Sequence, residues 1–323
     1  MTVTVDCRAP GGTEAERFRF RHHPYLGTDL EVWVAGLEED GAVAVDEAVR
    51  AEVERLERVL SVFDQDSELR RWARRHLEQP GPELLEVLTG ALHWQGWSGG
   101  TFNPFVGVIG RRWAQAESDG VEPTEKELAV LAAAIAAPRF AVGPGGGLTV
   151  LADLDGVDLN AYAKGWIVDR AIDRAQRACR RPASIDLVVN AGGDLRHVGF
   201  RPLVVGIENP HRPYDNEPPL TTIVLRDAAV ATSGPSRRGF IVGGRRHSRI
   251  IDPQTGHTVE RIASISVVAA DAATADVVAT ALGVGDPDRA IDRANLLGVG
   301  CLIVGADGNL RSNEAWTALE KGR

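Results

Sequence analysis

Apolar and polar residues follow two different spacings along the chain, and these spacings predict its elements. Residues 29–36, DLEVWVAG, alternate apolar and polar positions, as a half-buried strand does. Residues 43–60 place apolar side chains three and four apart, which predicts an amphipathic helix. Similar spacing predicts helices over 82–97, ending at a Gly-Gly pair, and over 124–136. The first half is therefore mainly helical after one early strand.

The second half is predicted to be rich in strands. Residues 138–153 predict two short strands around a glycine turn, and 158–180 predict a loop that enters a long helix. Short apolar segments follow: DLVVNAGG, PLVVGIENP, TTIVLRDAAVATS, GFIVGG, HSRIIDP and SISVVAA. Two helices, 272–282 and 287–294, precede a final strand, GCLIVGA. We predict one α+β domain over residues 1–323, with a mostly antiparallel sheet flanked by helices.

Composition narrows the class of protein. The 323 residues are 44% hydrophobic and 25% charged, which is typical of a globular domain. The net charge of -9 argues against nucleic acid as a partner, because binding to phosphate backbones favours a basic surface. Cys7, Cys179 and Cys301 are too few and too widely spaced for a disulfide framework or a cysteine-rich zinc site.

Targeting signals are the next feature to consider. The first residues, MTVTVDCRAPGGTEAERFRFRHH, have no apolar stretch typical of a signal peptide, and no run of 18 apolar residues occurs. We therefore expect a cytoplasmic protein that does not span a membrane.

A pair of oxygen-bearing side chains on one predicted helix indicates a metal site. Asp276 and Thr280 are four apart in DAATADVVATAL, so they share a face of an otherwise apolar helix that Asp271 is expected to cap. A carboxylate and a hydroxyl suit Mg²⁺ and are poor ligands for zinc. The alternative is structural: Asp276 caps a neighbouring backbone, and Thr280 bonds its own helix.

A single lysine indicates a second site. Lys126, Lys164 and Lys321 are the only lysines among 36 basic residues, and Lys164 lies between small residues in DLNAYAKGWIVD. A compact positive charge next to Gly165 suits an anionic ligand that approaches closely. Capping of the helix explains Asp158 equally well.

Three other segments allow both structural and functional interpretations. NAGGDLRHVG contains Gly192-Gly193, whose amides could face an anion, although no dinucleotide fingerprint is present. Residues 99–113 are predicted to be a loop. Residues 231–256 gather several arginines, which form either a solvated hairpin or a positive rim for a pyrophosphate: Arg237, Arg238, Arg245, Arg246 and Arg249.

Taken in order, these segments resemble the flavin transferases of the ApbE type (FAD:protein FMN transferases). The matching stretches are LGTDLEVWV, VFDQDSELRRW, GGTFNPFVGVI, DLNAYAKGWIVD, VVNAGGDLRHVG, VGIENP, VATSGPSRRGFIVGGRRHSRIIDPQTG and ADVVATAL, within about residues 26–282. The resemblance implies a T-shaped fold around a β-sheet. It also implies that FAD is the substrate, that Mg²⁺ lies at its pyrophosphate, and that FMN is transferred to a Ser or Thr hydroxyl of an acceptor flavoprotein with release of AMP.

The resemblance also implies roles for individual residues. The metal ligands would be Asp276, Thr280 and the main-chain carbonyl of Ala161. Asp158 and Lys164 match positions that contact the flavin nucleotide. Further nucleotide-binding positions are implied at Leu26, Phe63, Thr101, Phe102, Asn103 and Ile250.

Two departures from the family pattern affect the chemistry. Asn103 and Phe105 replace an acid and a threonine, and Arg249 replaces a histidine that is a candidate base in the family. Our hypothesis is that His247, or a carboxylate beside the metal, removes the proton while Arg249 grips a phosphate and Lys164 neutralises charge. In an extended strand, residues 247 and 249 would point to the same face. The alternatives are a flavin-binding protein without transferase activity and a hydrolase that splits FAD to FMN and AMP.

Overall fold

The computed structural model describes residues 4–6, 17–179, 185–213, 217–234 and 239–320. The helices in these ranges are α1 (Glu39–Leu60), α2 (Glu68–Ala73), α3 (Pro82–Ser98), α4 (Gly107–Asp119), α5 (Glu125–Ile135), α6 (Asn160–Ala178), α7 (Ala272–Val284), α8 (Pro287–Leu297) and α9 (Glu314–Glu320). The strands are β1 (Thr4–Asp6), β2 (Arg17–Tyr25), β3 (Thr28–Ala35), β4 (Phe140–Val142), β5 (Leu148–Val150), β6 (Asp186–Ala191), β7 (Asp194–Val198), β8 (Leu203–Ile207), β9 (Thr221–Leu225), β10 (Ala229–Ser233), β11 (Gly239–Val242), β12 (Arg245–Ser248), β13 (Ile262–Ala269), β14 (Gly300–Gly305) and β15 (Leu310–Ser312).

An antiparallel sheet forms the centre of the molecule, as the sequence predicts. Its strand order is β15-β14-β13-β10-β7-β6-β3-β2. A smaller sheet, β1-β8-β9, and two hairpins, β4-β5 and β11-β12, complete the strand pairing. Helices α1, α6 and α7 pack on one face of the central sheet, and the smaller sheet with α9 packs on the other. The α+β prediction is confirmed.

Alternation along the central strands determines which side chains enter each core. In β6, Leu187 and Val189 belong to the larger core under the helices, whereas Val188 belongs to the smaller core beneath β8 and β9. All six residues of β6 are buried. Burial on both faces explains why this strand has a continuous apolar run without the alternation of a half-exposed strand.

Several elements differ from the sequence predictions. The segment 99–113, predicted to be a loop, contains α4 from Gly107 onward, because its Asn-Pro turn ends before the helix begins. Strand β2 was not predicted; its arginines alternate with aromatic and histidine residues, and it forms an edge that is only partly buried. Helix α1 begins at Glu39, four residues before the predicted start. No helix in the described parts of the chain is long and apolar enough to cross a membrane.

Candidate functional site

The candidate site lies where two helices cross at a glycine. At Gly165, α6 approaches α7 so closely that an added Cβ atom would overlap the backbone carbonyl of Ala272. Only glycine permits this separation of the two helix backbones. The crossing brings Lys164, in the second turn of α6, towards the part of α7 that contains Asp276.

Two carboxylates fix the beginning of α7. Asp271 caps the helix as predicted, with its Oδ1 accepting a hydrogen bond from Thr274 N at 2.7 Å. From α6, Asp169 accepts hydrogen bonds from the backbone N–H groups of Ala272 and Ala273, both at 2.9 Å. Burial raises the pKa of Asp169 to about 6, although the two hydrogen bonds favour its charged form. These contacts hold α7 in a fixed position relative to α6.

Two of the three predicted metal ligands, Asp276 and the Ala161 carbonyl, meet at this crossing. Asp276 is buried, and its Oδ2 lies 3.3 Å from Gly165 N. In an α-helix the N–H of residue 165 points at the carbonyl of Ala161, so that carbonyl and the Asp276 carboxylate converge on the same amide. Thr280 lies one turn beyond Asp276, with its Oγ1 3.1 Å from Ser233 Oγ.

A second buried acid, Asp194, shares the neighbourhood of Asp276. Lys164 Nζ forms an ion pair with Asp194 Oδ2, and Asp194 is 2% exposed. Burial, followed by the negative charge of Asp194, raises the pKa of Asp276 to about 7, while Lys164 opposes the shift. Two buried carboxylates close to one ammonium form a cluster that an additional cation would stabilise.

Asp194 is a site residue that the sequence analysis missed. Asp194 is the first residue of β7 and directly follows the turn that contains Gly192 and Gly193. From the sequence, we considered the backbone amides of these two glycines as an anion site and did not consider the acid. The Gly193 amide donates to Asn190 Oδ1 at 3.1 Å, so it is engaged within the turn. Its position directly after the glycine pair could have identified Asp194, because the turn places this acid towards α6.

The loop before α6 is tied to the segment 103–107. Asp158 N donates to Pro104 O at 2.7 Å, and Asp158 Oδ1 accepts from Asn160 N at 2.9 Å. The N-cap of α6 is Leu159, so Asp158 forms a turn directly before the helix and is not its capping residue. Burial raises the pKa of Asp158, and the nearby charge of Arg249 partly offsets this shift. Asp158 and Arg249 therefore interact electrostatically, although they are 91 positions apart in the sequence.

Of the predicted nucleotide-binding residues in the segment 101–103, two have buried side chains. Phe102 and Asn103 are 3% and 4% exposed. The Asn103 amide donates to Ile135 O at 2.9 Å and accepts from Phe105 N at 2.8 Å, so it stabilises the Asn-Pro turn. Thr101 is partly buried, with its Oγ1 3.3 Å from Ser98 O.

Leu26 and Phe63 both lie near the C-terminal end of α1. Leu26 adopts a left-handed backbone conformation, φ 51°, in the turn before β3, and its N–H donates to Glu57 Oε1 at 2.7 Å. Phe63 is 79% exposed in the loop after α1. An exposed aromatic ring at this position is available for stacking against a planar ligand.

His247 and Arg249 do not share a strand face. Strand β12 ends at Ser248, so the prediction of an extended strand through both residues is wrong. His247 is buried against the Trp113 ring, with centroids 4.9 Å apart. Arg249 is exposed and lies over the Phe240 ring at 5.0 Å.

The neighbours of Arg249 in the sequence include Ile250 and the other arginines of the predicted basic rim. Ile250, which follows Arg249, donates its N–H to Ser248 Oγ at 3.0 Å and is partly buried. Arg245 and Arg246 are exposed in β12, which fits a solvated hairpin as well as a basic rim. Two further arginines of the predicted rim lie outside the described residues: Arg237 and Arg238.

The residues at the crossing suit a hard divalent cation. Within the described residues, no group of three or more His, Cys, Asp or Glu side chains could hold a metal ion. A site built from one carboxylate, one hydroxyl and one backbone carbonyl does not need such a group. The raised pKa of buried Asp276 is the expected property of a carboxylate that lacks a sufficient counter-charge. Oxygen ligands of this kind fit Mg²⁺.

Comparisons with known proteins place the chain in a family. The family model described as "ApbE family" matches residues 26–303. An FAD:protein FMN transferase from Vibrio cholerae is 30% identical, with 88% of this chain and 87% of the relative covered. One from Klebsiella pneumoniae is 28% identical, with 82% and 78% covered.

Solved structures agree with this result. The ApbE protein from Thermotoga maritima has a TM-score of 0.83 at 25% identity, with 95% of this chain and 100% of that chain covered. A variant of the flavin transferase ApbE from Vibrio cholerae has a TM-score of 0.78 at 27% identity, with 94% and 100% covered. The chain belongs to the ApbE family.

Proposed function

We propose that this protein is an FAD:protein FMN transferase that uses Mg²⁺ to move FMN from FAD to a Ser or Thr hydroxyl of an acceptor flavoprotein. The acceptor oxygen forms a bond to the FMN phosphorus, the bond from that phosphorus to the AMP phosphate oxygen breaks, and the hydroxyl proton passes to a base. AMP leaves with the pyrophosphate oxygen. Names of similar proteins and membership of the family support the reaction class.

The observation that most strongly supports a cation in the reaction is the charge cluster at the α6–α7 crossing. Buried Asp276 and Asp194 share Lys164, and Thr280 and the Ala161 carbonyl add neutral oxygens. Mg²⁺ held by Asp276, Thr280 and Ala161 would supply charge neutralisation at the pyrophosphate, which is the main requirement of phosphoryl transfer.

The remaining proposed roles follow from the position and charge of each residue. Lys164 and Arg249 would neutralise phosphate charge, and His247 would accept the proton. Asp158 lies beside Arg249 and would contact the nucleotide, with Phe63 available for stacking. We keep the other nucleotide-binding positions as predictions: Leu26, Thr101, Phe102, Asn103 and Ile250.

Incubation with FAD, Mg²⁺ and a protein extract of the source cells tests the proposal. We expect a flavin-fluorescent band that survives denaturing electrophoresis, together with equimolar AMP, and mass spectrometry should find added FMN on Ser or Thr. Free FMN and AMP would instead indicate a pyrophosphatase, and intact FAD would indicate a binding protein. Fractionation of the same cells measures the expected cytoplasmic location.

A further inference from the structure

A buried histidine lies between two carboxylates. His247 has a side chain only 4% exposed, with Nε2 3.2 Å from Glu122 Oε1 and Nδ1 3.7 Å from Glu260 Oε1. The first contact is within ion-pair distance but is not aligned as a hydrogen bond. Trp113, tilted against the imidazole, restricts rotation of the ring. The imidazole therefore cannot meet a substrate directly, whereas Glu260, 49% exposed, can.

Glu260 lines a cavity at the C-terminal end of α7, the helix that contains Asp276 and Thr280. The cavity, about 270 Å³, is lined by Asp252, Thr258, Glu260 and Val284, among others. Val284 shares the face of α7 that contains Asp276 and Thr280, because the three are spaced four apart. At 1.5 Å per residue, the cavity wall at Val284 begins roughly 6 Å beyond Thr280 along the helix.

The backbone also places Glu260 beside Arg249. Val259 N donates to Ile250 O at 2.9 Å, and Ile251 pairs with Thr258 in an antiparallel bridge. Glu260 therefore stands opposite Arg249 across the two segments. Glu260 Oε1 accepts from Thr258 Oγ1 at 3.0 Å, and among the described residues Oε2 has no protein partner.

We propose that the cavity receives the acceptor hydroxyl and that Glu260 removes its proton and passes it to buried His247. This inference rests on the proposed function. The hydroxyl oxygen bonds to phosphorus as its proton moves to the Glu260 carboxylate and then to Nδ1, while AMP leaves with the bonding electrons. The tautomer with hydrogen on Nε2, facing Glu122, leaves the Nδ1 lone pair towards Glu260.

Imidazole is the final acceptor because two neighbouring carboxylates would stabilise its protonated form. The imidazolium formed is flanked by the carboxylates of Glu122 and Glu260. The nearby cations are Arg245, 4.0 Å from Glu122, and Arg249, over the Phe240 ring that pairs with His247. His247 acts through Glu260 and is therefore a positioning residue.

The decisive variant is Glu260→Gln, which keeps the shape and the bond to Thr258 but cannot accept a proton. The full chain, loaded with FAD and saturating Mg²⁺, is mixed with the unmodified, folded form of the acceptor protein that the fluorescent band identifies. We expect the single-turnover rate of FMN transfer to fall about 100-fold or more, with unchanged FAD affinity. Glu83→Gln is the matched control, because Glu83 pairs with Arg55 at 2.9 Å and has no contact with His247; we expect it to keep the wild-type rate.

His247→Gln provides an independent readout. In the wild type, the transfer rate should increase with pH, because transfer needs an unprotonated base; in the variant this increase should be smaller while FAD affinity is kept. A wild-type rate in Glu260→Gln, loss of FAD affinity parallel to its loss of rate, or an unchanged pH profile in His247→Gln would overturn the inference. If His247→Gln does not fold, the transfer rate of Glu260→Gln still tests the inference. A wild-type protein that transfers no FMN would refute the proposed function instead.

Discussion

At the scale of single residues, the defining feature is Asp276, whose carboxylate is buried although burial disfavours its charged form. Asp276 is 3% exposed and has Gly165 N as its hydrogen-bond donor, at 3.3 Å. The neighbouring acid, Asp194, already forms an ion pair with Lys164. A bound cation would stabilise the ionised form of this carboxylate and would offset the cost of burying it in a mostly apolar helix.

Replacement of Asp276 by Asn removes this charge while keeping the side-chain volume. We expect Mg²⁺-dependent transfer to fall by about 100-fold or more, because a bound cation contributes several kcal/mol to the transition state. The melting temperature should not fall, since one of two neighbouring buried negative charges is lost. Calorimetry with Mg²⁺ and turnover assays measure both effects. Full Mg²⁺-dependent activity in this variant would show that the ligand assignment is wrong.

Protons should compete with Mg²⁺ at the same carboxyl. Burial and Asp194 raise the pKa of Asp276 to about 7, so below that pH the protonated form predominates in the metal-free protein. Because Mg²⁺ binds the ionised form, its apparent affinity should fall roughly tenfold per pH unit below about 7 and level off above it. Titrations between about pH 5.5 and 8.5 measure this slope. A flat profile would contradict the raised pKa.

At the scale of elements, the crossing of α6 and α7 depends on Gly165. A methyl group there would overlap the Ala272 carbonyl. We expect Gly165→Ala to lower the free energy of unfolding by about 1–3 kcal/mol, since tight packing does not accept an extra carbon. The variant should also weaken Mg²⁺ binding, because the two helices supply different ligands.

Gly96 provides the control for this substitution. It is exposed in α3, and an added Cβ atom would meet nothing within 4 Å. Gly96→Ala should therefore stabilise the protein by up to about 1 kcal/mol through helix propensity. Denaturant unfolding of both variants gives the comparison. Equal effects of the two changes would mean that close packing at Gly165 is not important.

Local sequence predicted the elements whose signals are local. The capping of α7 by Asp271 and the spacing of Asp276 and Thr280 could be predicted because both depend on neighbours within one helical turn. Helix α4 was missed because the Asn-Pro turn before it dominates the pattern of its segment. Strand β2 was missed because an edge strand is only partly buried and its arginines obscure the alternation.

At the scale of the whole molecule, binding of FAD with Mg²⁺ should stabilise the native state. The proposed site draws on α6, α7 and the segments around Asp158 and Arg249, so an unfolded chain cannot reproduce it. At ligand concentrations 100 times the dissociation constant, we expect about 2.7 kcal/mol of added stability. Thermal unfolding with FAD, Mg²⁺, both and neither measures it. The combined increment should vanish in Asp276→Asn; if it persists, FAD binds without the metal.

The sequence by itself determined the fold class, the order of motifs and the pairing of Asp276 with Thr280, because periodicity and spacing are properties of neighbouring residues. The tertiary structure decided which distant residues meet. It brought Asp194 to Lys164 and Asp158 to Arg249, and it buried His247 behind Glu260. These contacts depend on how the sheet turns and how the helices cross, and long-range packing of this kind leaves no fixed spacing along the chain.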